Sequence, residues 1–414
     1  MRGLKKIYGR AAISAVIIVL LSSCSRLLEN EYRSVTPLEE PAYEPFGDNT
    51  ASLRVSNYSE LKIAVLRFVR NGNAEGRVRL RSYSGNARSD VDKVCLEVMR
   101  NEPIGAYALE YLTSGMTQVI TDYEVTFSLT FRRTYEQIQA VESIGGPRAF
   151  ESRLTETLSG FGAELTFETS FYSEDQFDFD QIKNRVYYDY PAFAQGMPEM
   201  SVSLYPETGL RRIVELTLTY PDEPGLLRLY ASRSETAAAG IVNALPPDLT
   251  EPQKALALYN ALGELSAFDH ELYSAMAEGQ RTYPKTYDAF FSERVLPESY
   301  ALAYKLLCDI AGIPCRVVTG QRGPDDHAWN LIRLEDFWYH ADLAADRMSG
   351  EQRHNYFLVT DSFIQEDYRW TRGLYPAAED GELTYDIVAN NGDAEVSGEY
   401  DDPSDNMGFE PEEE

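Results

Sequence analysis

The residues in this chain best suited to chemistry are His327 and Asp342, fifteen positions apart in the last third of the sequence. A histidine takes the proton of a thiol or hydroxyl, and a carboxylate on its other ring nitrogen holds the ring in place. The nucleophile such a pair serves best is a thiol at a helix N-terminus, where the helix dipole lowers its pKa. It would attack an amide or ester carbonyl. The candidate nucleophiles are few: the chain has four cysteines, Cys24, Cys95, Cys308 and Cys315, and Ser299 lies in the segment PESYALAYKLLCDIAGIPC.

The surrounding elements have to bring these groups together. Tyr300, Ala303, Tyr304, Leu307 and Ile310 recur at helical spacing and predict one broad apolar face. Gly312 takes the position after the helix that glycine favours. CRVVTG, 315–320, reads as a strand ending at Gly320, and residues 322–326 read as the turn. His327 then opens the strand HAWNLIRL. Glu335-Asp336 makes a short turn into FWYHADL, which carries Asp342 near its end. Pairing around that turn sets 327–331 opposite 340–344, so His327 and Asp342 become cross-strand neighbours. His340 shares a strand face with Asp342, which assigns it no role.

This order and spacing resembles the bacterial transglutaminase-like domains, kin of the papain-type cysteine peptidases. Their pattern runs Cys-x-Gly-Tyr-Ala, a helix, Gly-Ile-Pro, a strand ending in glycine, His-Ala-Trp-Asn, and later Trp-Tyr-His-x-Asp. Here the corresponding residues are Pro297-Glu298-Ser299-Tyr300-Ala301, Gly312-Ile313-Pro314, Gly320, His327-Ala328-Trp329-Asn330 and Trp338-Tyr339-His340-Ala341-Asp342. The resemblance covers residues 245–375. It implies an α+β cysteine-protease-like domain, an antiparallel sheet packed on a helix, over 246–378. It also implies that Pro297 stands where the family keeps its nucleophilic cysteine, and that Ser299 replaces a glycine. Proline suits the first turn of a helix, so this change keeps the fold and removes the thiol.

Substitutes fare poorly. Cys308 lies roughly 16 Å further along the helix axis, and Ser299 is rotated by about 200° from position 297. Cys315 begins the next strand and is expected in the core. The expectation is therefore a catalytically inactive domain, with Pro297, His327 and Asp342 as its vestigial site. Two readings stay open. A groove beside Pro297, His327 and Trp329, with Ser299 near it, would bind peptide or cell-wall and surface material. Alternatively the pair only braces two strands, in a structural or scaffolding protein. The rival class is a hydrolase using Ser299 with His327 and Asp342.

The chain ends suggest its location. Arg2, Lys5, Lys6 and Arg10 precede the apolar run AAISAVIIVLL, which has signal-peptide proportions and is short for a membrane span. Leu21-Ser22-Ser23-Cys24 resembles the lipobox of bacterial lipoproteins. That implies a signal peptide over 1–23, a palmitate-type acyl chain on Cys24, and a membrane-anchored protein facing outside the cytoplasm. Residues 24–50 read as a tether. From 379 to 414 there are fourteen acidic residues and no basic one, which predicts an unfolded tail. Its spacing lacks the EF-hand pattern. A net charge of −28 argues against a nucleic-acid partner. No CxxC pair and only four histidines leave no expected metal site, and no cofactor is expected. With Cys24 acylated, Cys95, Cys308 and Cys315 remain. One disulfide among them stays possible in principle, and for Cys308 and Cys315 it depends on whether their side chains face each other.

Residues 51–245 read as a mixed α and β region of one or two modules. NYSELKIAVLRFVR and DVDKVCLEVMRNEP have helical spacing. TQVITDYEVTFSLTF reads as one long strand, and AYALEYLT as near-helical. No glycine signature of nucleotide binding and no sequence repeat is present. Thr250, with Pro252 after it, predicts the N-cap of a helix over 250–265.

Overall fold

The computed structural model describes residues 53–350, 353–379 and 381–390. The expected signal peptide 1–23, Cys24, the expected tether 24–50 and residues 391–414 of the expected tail lie outside the described residues. Among the described residues no helix is long and apolar enough to cross a membrane.

The N-terminal region contains the same arrangement twice. The first module runs β1 (Leu53–Val55), α1 (Tyr58–Arg70), β2 (Glu75–Leu80), α2 (Ala87–Arg100), α3 (Pro103–Ala108), β3 (Leu109–Val119) and β4 (Asp122–Phe131). Its sheet has the order β1-β2-β4-β3, with β1 parallel to β2 and the other pairs antiparallel. After α4 (Tyr135–Gln139) come β5 (Glu142–Ser143), α5 (Pro147–Ser159), β6 (Glu164–Thr169), α6 (Phe179–Asp189), β7 (Glu199–Tyr205) and β8 (Arg212–Thr219). That sheet has the order β5-β6-β8-β7 and the same parallel and antiparallel pairs.

Each module buries one helix face against its sheet. Leu61, Val65 and Phe68 of α1 do so in the first, and Phe150, Leu154 and Leu158 of α5 in the second. What recurs is the apolar spacing, while the identities differ. The modules meet where Arg133 binds Glu215 at 2.7 Å and lies over the ring of Tyr107.

Two sequence expectations fail here. TQVITDYEVTFSLTF is the two arms of a hairpin, turning at Ile120 and Thr121 with Ile120 in the left-handed region at φ 57°. The turn carries no glycine, asparagine or proline, so nothing local marks it. AYALEYLT changes from α3 to β3 at Leu109, because its later residues alternate across a sheet.

The C-terminal domain is organised around α11 (Pro297–Ala311). Before it come α7 (Pro224–Asn243), α8 (Glu251–Leu265), β9 (Ala267–Phe268), α9 (His270–Ala277), α10 (Thr286–Phe291) and β10 (Arg294–Val295). Thr250 caps α8 through a reciprocal bond with Gln253, as its spacing predicts. Ala238 of α7 belongs to the same core, which therefore reaches back before residue 246.

After α11 come β11 (Cys315–Arg322), β12 (Asp325–Leu334), β13 (Phe337–Ala341), α12 (Leu343–Arg347), β14 (Phe357–Val359), α13 (Asp361–Ile364) and β15 (Tyr368–Trp370). The five strands form an antiparallel sheet in the order β14-β13-β12-β11-β15. The α+β class and the sheet-on-helix arrangement are as the sequence predicts. The single apolar face of α11 is not. Ile310 is exposed, while Pro297 and every residue from Ser299 to Cys308 are buried. A helix buried nearly all round must be walled on several sides, and here β12, α7, α8 and α10 all pack on it. Lys305 is tolerated inside because Asp309 holds its ammonium at 2.9 Å.

The start of the expected unfolded tail is ordered. Residues 385–390 form helix α14, Val388 is buried, and Tyr385 stacks on His354 with ring centroids 4.0 Å apart. Leu383, Tyr385 and Val388 supply apolar contacts that the acidic composition hid.

Gly320 has a positional reason. It pairs with His327 on one side and Trp370 on the other, and a Cβ there would collide with the carbonyl oxygen of Arg369. Gly320→Ala is expected to push β15 away and cost about 1–3 kcal/mol, as overpacking does. Urea unfolding of the variant checks this, and an unchanged midpoint would refute the close packing.

Candidate functional site

The site is assembled from three strands and a helix end. His327 stands on β12, the middle strand of the sheet. The two-residue turn at Glu335 and Asp336 has positive φ at both positions, 49° and 72°, which matches the twist of the strands it joins. It sets Asn330 opposite Ala341 and Leu331 opposite His340. This is the expected register, 327–331 opposite 340–344; within it Asp342 lies just past the end of β13, diagonal to His327 rather than directly across from it. It serves as N-cap of α12, where its Oδ1 accepts from the backbone N–H of Ala345 at 3.0 Å.

The two side chains meet as the sequence predicts. His327 Nε2 lies 2.6 Å from Asp342 Oδ2. Tyr368, from edge strand β15, donates its hydroxyl to the same oxygen at 2.7 Å. Burial opposes the charge on Asp342, but His327, Ala345 and Tyr368 outweigh it and hold the carboxyl below the usual carboxylate range. An ionised Asp342 can only accept, so Nε2 of His327 carries the proton it shares. The imidazole is closed off from solvent, and among the described residues its Nδ1 has no hydrogen-bond partner. That nitrogen is the one available to a nucleophile.

Pro297 is the first residue of α11, in the position where a missing N–H is harmless. Its neighbour Glu298 accepts from Tyr188 at 3.1 Å. Burial pushes the Glu298 carboxyl up to about 7, while the Tyr188 bond pulls the other way. Tyr188 interacts in turn with Tyr375, whose hydroxyl accepts from the Thr319 N–H. Thr319 pairs with Ala328, beside His327. The first turn of α11 thus lies toward the His327 end of the sheet. Tyr273 of α9 and Tyr368 set their edges against the His327 ring.

Ser299 is buried, with the carboxyl of Asp288 on α10 beside it. Trp329 is also buried, packed among His327, Tyr368 and Trp370. Rings from α9 and β15 thus pack against His327 and Trp329, the two residues expected to line a groove beside Pro297. Cys308 and Cys315 are buried free thiols, and Cys95 is a half-buried one in the first module.

A second histidine–carboxylate pair went unassigned in the sequence. His340 Nε2 lies 2.7 Å from Asp361 Oδ1, and its Nδ1 accepts from the Trp329 indole N–H at 2.9 Å. Those bonds place the His340 proton on Nε2, and burial lowers its pKa. Trp329 thereby ties the two pairs into one buried layer. On the opposite face of β12, Asn330 donates to the carbonyl of Ala301 at 2.9 Å and so fastens the strand to α11. Asp361 and Tyr368 have no local sequence signal. Each is brought in by strand order alone.

Residues 235–343 match the model of the transglutaminase-like superfamily. Over these residues the chain carries a transglutaminase-like domain, and its own helices and antiparallel sheet make that domain α+β. Among solved structures it is similar to a candidate cysteine protease from Cytophaga hutchinsonii, at 14% identity and a TM-score of 0.23, over 36% of this chain and 62% of that one. It is similar to a TGase at 11% identity and a TM-score of 0.26, over 64% and 75% of the two chains. It is also similar to a candidate protease from Parabacteroides distasonis, at 9% identity and a TM-score of 0.22, over 65% and 39%. The chain thus spans less than two thirds of the Cytophaga and Parabacteroides proteins. No curated protein matches it.

Asp342→Ala leaves His327, Tyr368 and the Ala345 N–H unpaired in the interior, and is expected to cost about 3–5 kcal/mol in urea unfolding. Tyr368→Phe removes one donor and should cost about 1–3 kcal/mol. Asp346, on α12, accepts from Tyr259 at 2.6 Å, and burial pushes its carboxyl from 3.8 up to about 7. A raised carboxyl stabilises the fold below the unfolded pKa and loses that contribution as pH rises through the folded value. The drop in stability between pH 4 and 7 should therefore be smaller in Asp346→Asn than in the parent. Parallel pH dependences in the two proteins would contradict it.

Proposed function

We propose that this is a lipid-anchored protein of the bacterial envelope whose transglutaminase-like domain performs no thiol chemistry and acts as a structural or scaffolding unit. The observation that carries this reading is the buried imidazole of His327. Its Nδ1 is sealed from solvent and has no partner among the described residues, and the helix expected to carry the nucleophile begins with Pro297. A proline offers neither a proton nor a lone pair. Ser299 is buried, with Asp288 beside it. Peptide or cell-wall binding there is disfavoured because His327 and Trp329 are buried against tyrosine rings. Attachment to the outer face of the membrane through Cys24 rests on the Leu21-Ser22-Ser23-Cys24 sequence and the apolar run before it. The histidine–aspartate pair then serves to pin β12, β15 and α12 together.

A fluorophosphonate and iodoacetamide, applied to the native protein, should give no stoichiometric label on Ser299 or near His327. Labelling that disappears in Ser299→Ala would establish the hydrolase instead. Feeding cells a radiolabelled fatty acid should label the parent and not a Cys24→Ser variant. Equal labelling of both would reject the lipid anchor.

A further inference from the structure

Outside the His327 layer, one other pair of reactive side chains is brought together. Cys308 lies one helical turn after Tyr304 on α11, and both are wholly buried. Cys315 is the first residue of β11. The two-residue period of a strand puts its side chain on the same face as Val317. The partner of Val317 is Asn330, which reaches the carbonyl of Ala301 on α11 and also lies 3.5 Å from the Cys315 sulfur. That face of the sheet is the one α11 packs on, so Cys315 points at the helix. Gly312, left-handed at φ 78°, ends α11, and the Ile313 N–H bonds back to the carbonyl of Cys308 at 2.9 Å. The chain reverses there and brings Cys308 and Cys315 together in one buried cluster. Side chains that face each other across a short reversal are what a disulfide requires.

We propose that Cys308 and Cys315 are a redox pair that closes to a disulfide, fastening the C-terminal end of α11 to the first residue of β11. The oxidant is a small or protein disulfide of the glutathione class. Cys315, the more accessible of the two, loses its proton and attacks one sulfur of that disulfide, releasing one reduced thiol. Cys308 then loses its proton and attacks the Cys315 sulfur of the mixed disulfide, releasing the second. Two cysteine thiols are oxidised, one external disulfide is reduced to two thiols, and the two protons pass to them. Burial pushes the Cys308 thiol up, so its attack is the slow step. The bond lies at the far end of α11 from Pro297, and forms whether or not the His327 site is inactive.

The test uses the full chain as Cys24→Ser, reduced and then incubated with oxidised glutathione, once folded and once during refolding from urea. After an acid quench, unfolding and alkylation, peptide masses are read. The expected result is a linked 308–315 pair two hydrogens lighter than the reduced form, with alkylation confined to Cys95. Thermal unfolding of the oxidised protein should have a midpoint a few degrees higher than that of the reduced protein. A Cys308→Ser variant should instead retain glutathione on Cys315. Alkylation of both Cys308 and Cys315 after refolding with oxidant would overturn the proposal, as would a bond joining either of them to Cys95. Neither outcome bears on the probe labelling at Ser299.

Discussion

The carboxylate of Asp342 is buried, and an ion removed from water costs several kcal/mol unless donors surround it. Here the donors come from three different elements: His327 on β12, Tyr368 on β15 and the N–H of Ala345 on α12. Satisfying one charge therefore fixes the middle of the sheet, its edge and the helix that follows it. The second pair, His340 with Asp361, repeats the solution on the same face of the sheet, and Trp329 links the two, stacking near His327 and donating its N–H to His340. Such networks are stable only when every member is satisfied. Nδ1 of His327 is the one group in this layer left without a partner among the described residues, and it is also the atom that acid–base chemistry would use.

Helix α11 is the other half of the same constraint. The sheet and the surrounding helices bury it nearly all round. Phenols solve its polar problems at a distance. Tyr300 donates to the carbonyl of Ser266 and Tyr304 to that of Ala255, so the helix is tied to its neighbours by hydroxyls on otherwise apolar rings. The abundance of tyrosine in the chain thus has a structural use in this domain. The same residue type, at positions 188, 273, 368 and 375, crowds the helix start and the imidazole.

The N-terminal half obeys a looser rule. Two modules of identical strand order fold from sequences with no visible repeat, because each needs only a 3.6-residue apolar stripe on its first helix and alternation on its strands. Fold is thereby kept while side-chain identity drifts. Within the C-terminal domain such drift is restricted at positions such as Gly320, where a neighbouring backbone leaves no room for a Cβ.

The sequence alone determined the α+β class, the helix beginning at Pro297, the Thr250 cap and the meeting of His327 with Asp342. Each depends on near neighbours in the chain: apolar spacing, a capping pair, or a two-residue turn that sets register. The hairpin at Ile120, the ordering of residues 381–390, the all-round burial of α11, and the roles of Tyr368, Asp361 and Trp329 were not legible. They arise from groups far apart in sequence, or from a turn without the usual residues. Whether the space around His327 is open or filled was likewise decided only by tertiary structure. Accessibility depends on which rings pack over a site, and those rings arrive from α9 and β15, through strand order that no local pattern encodes.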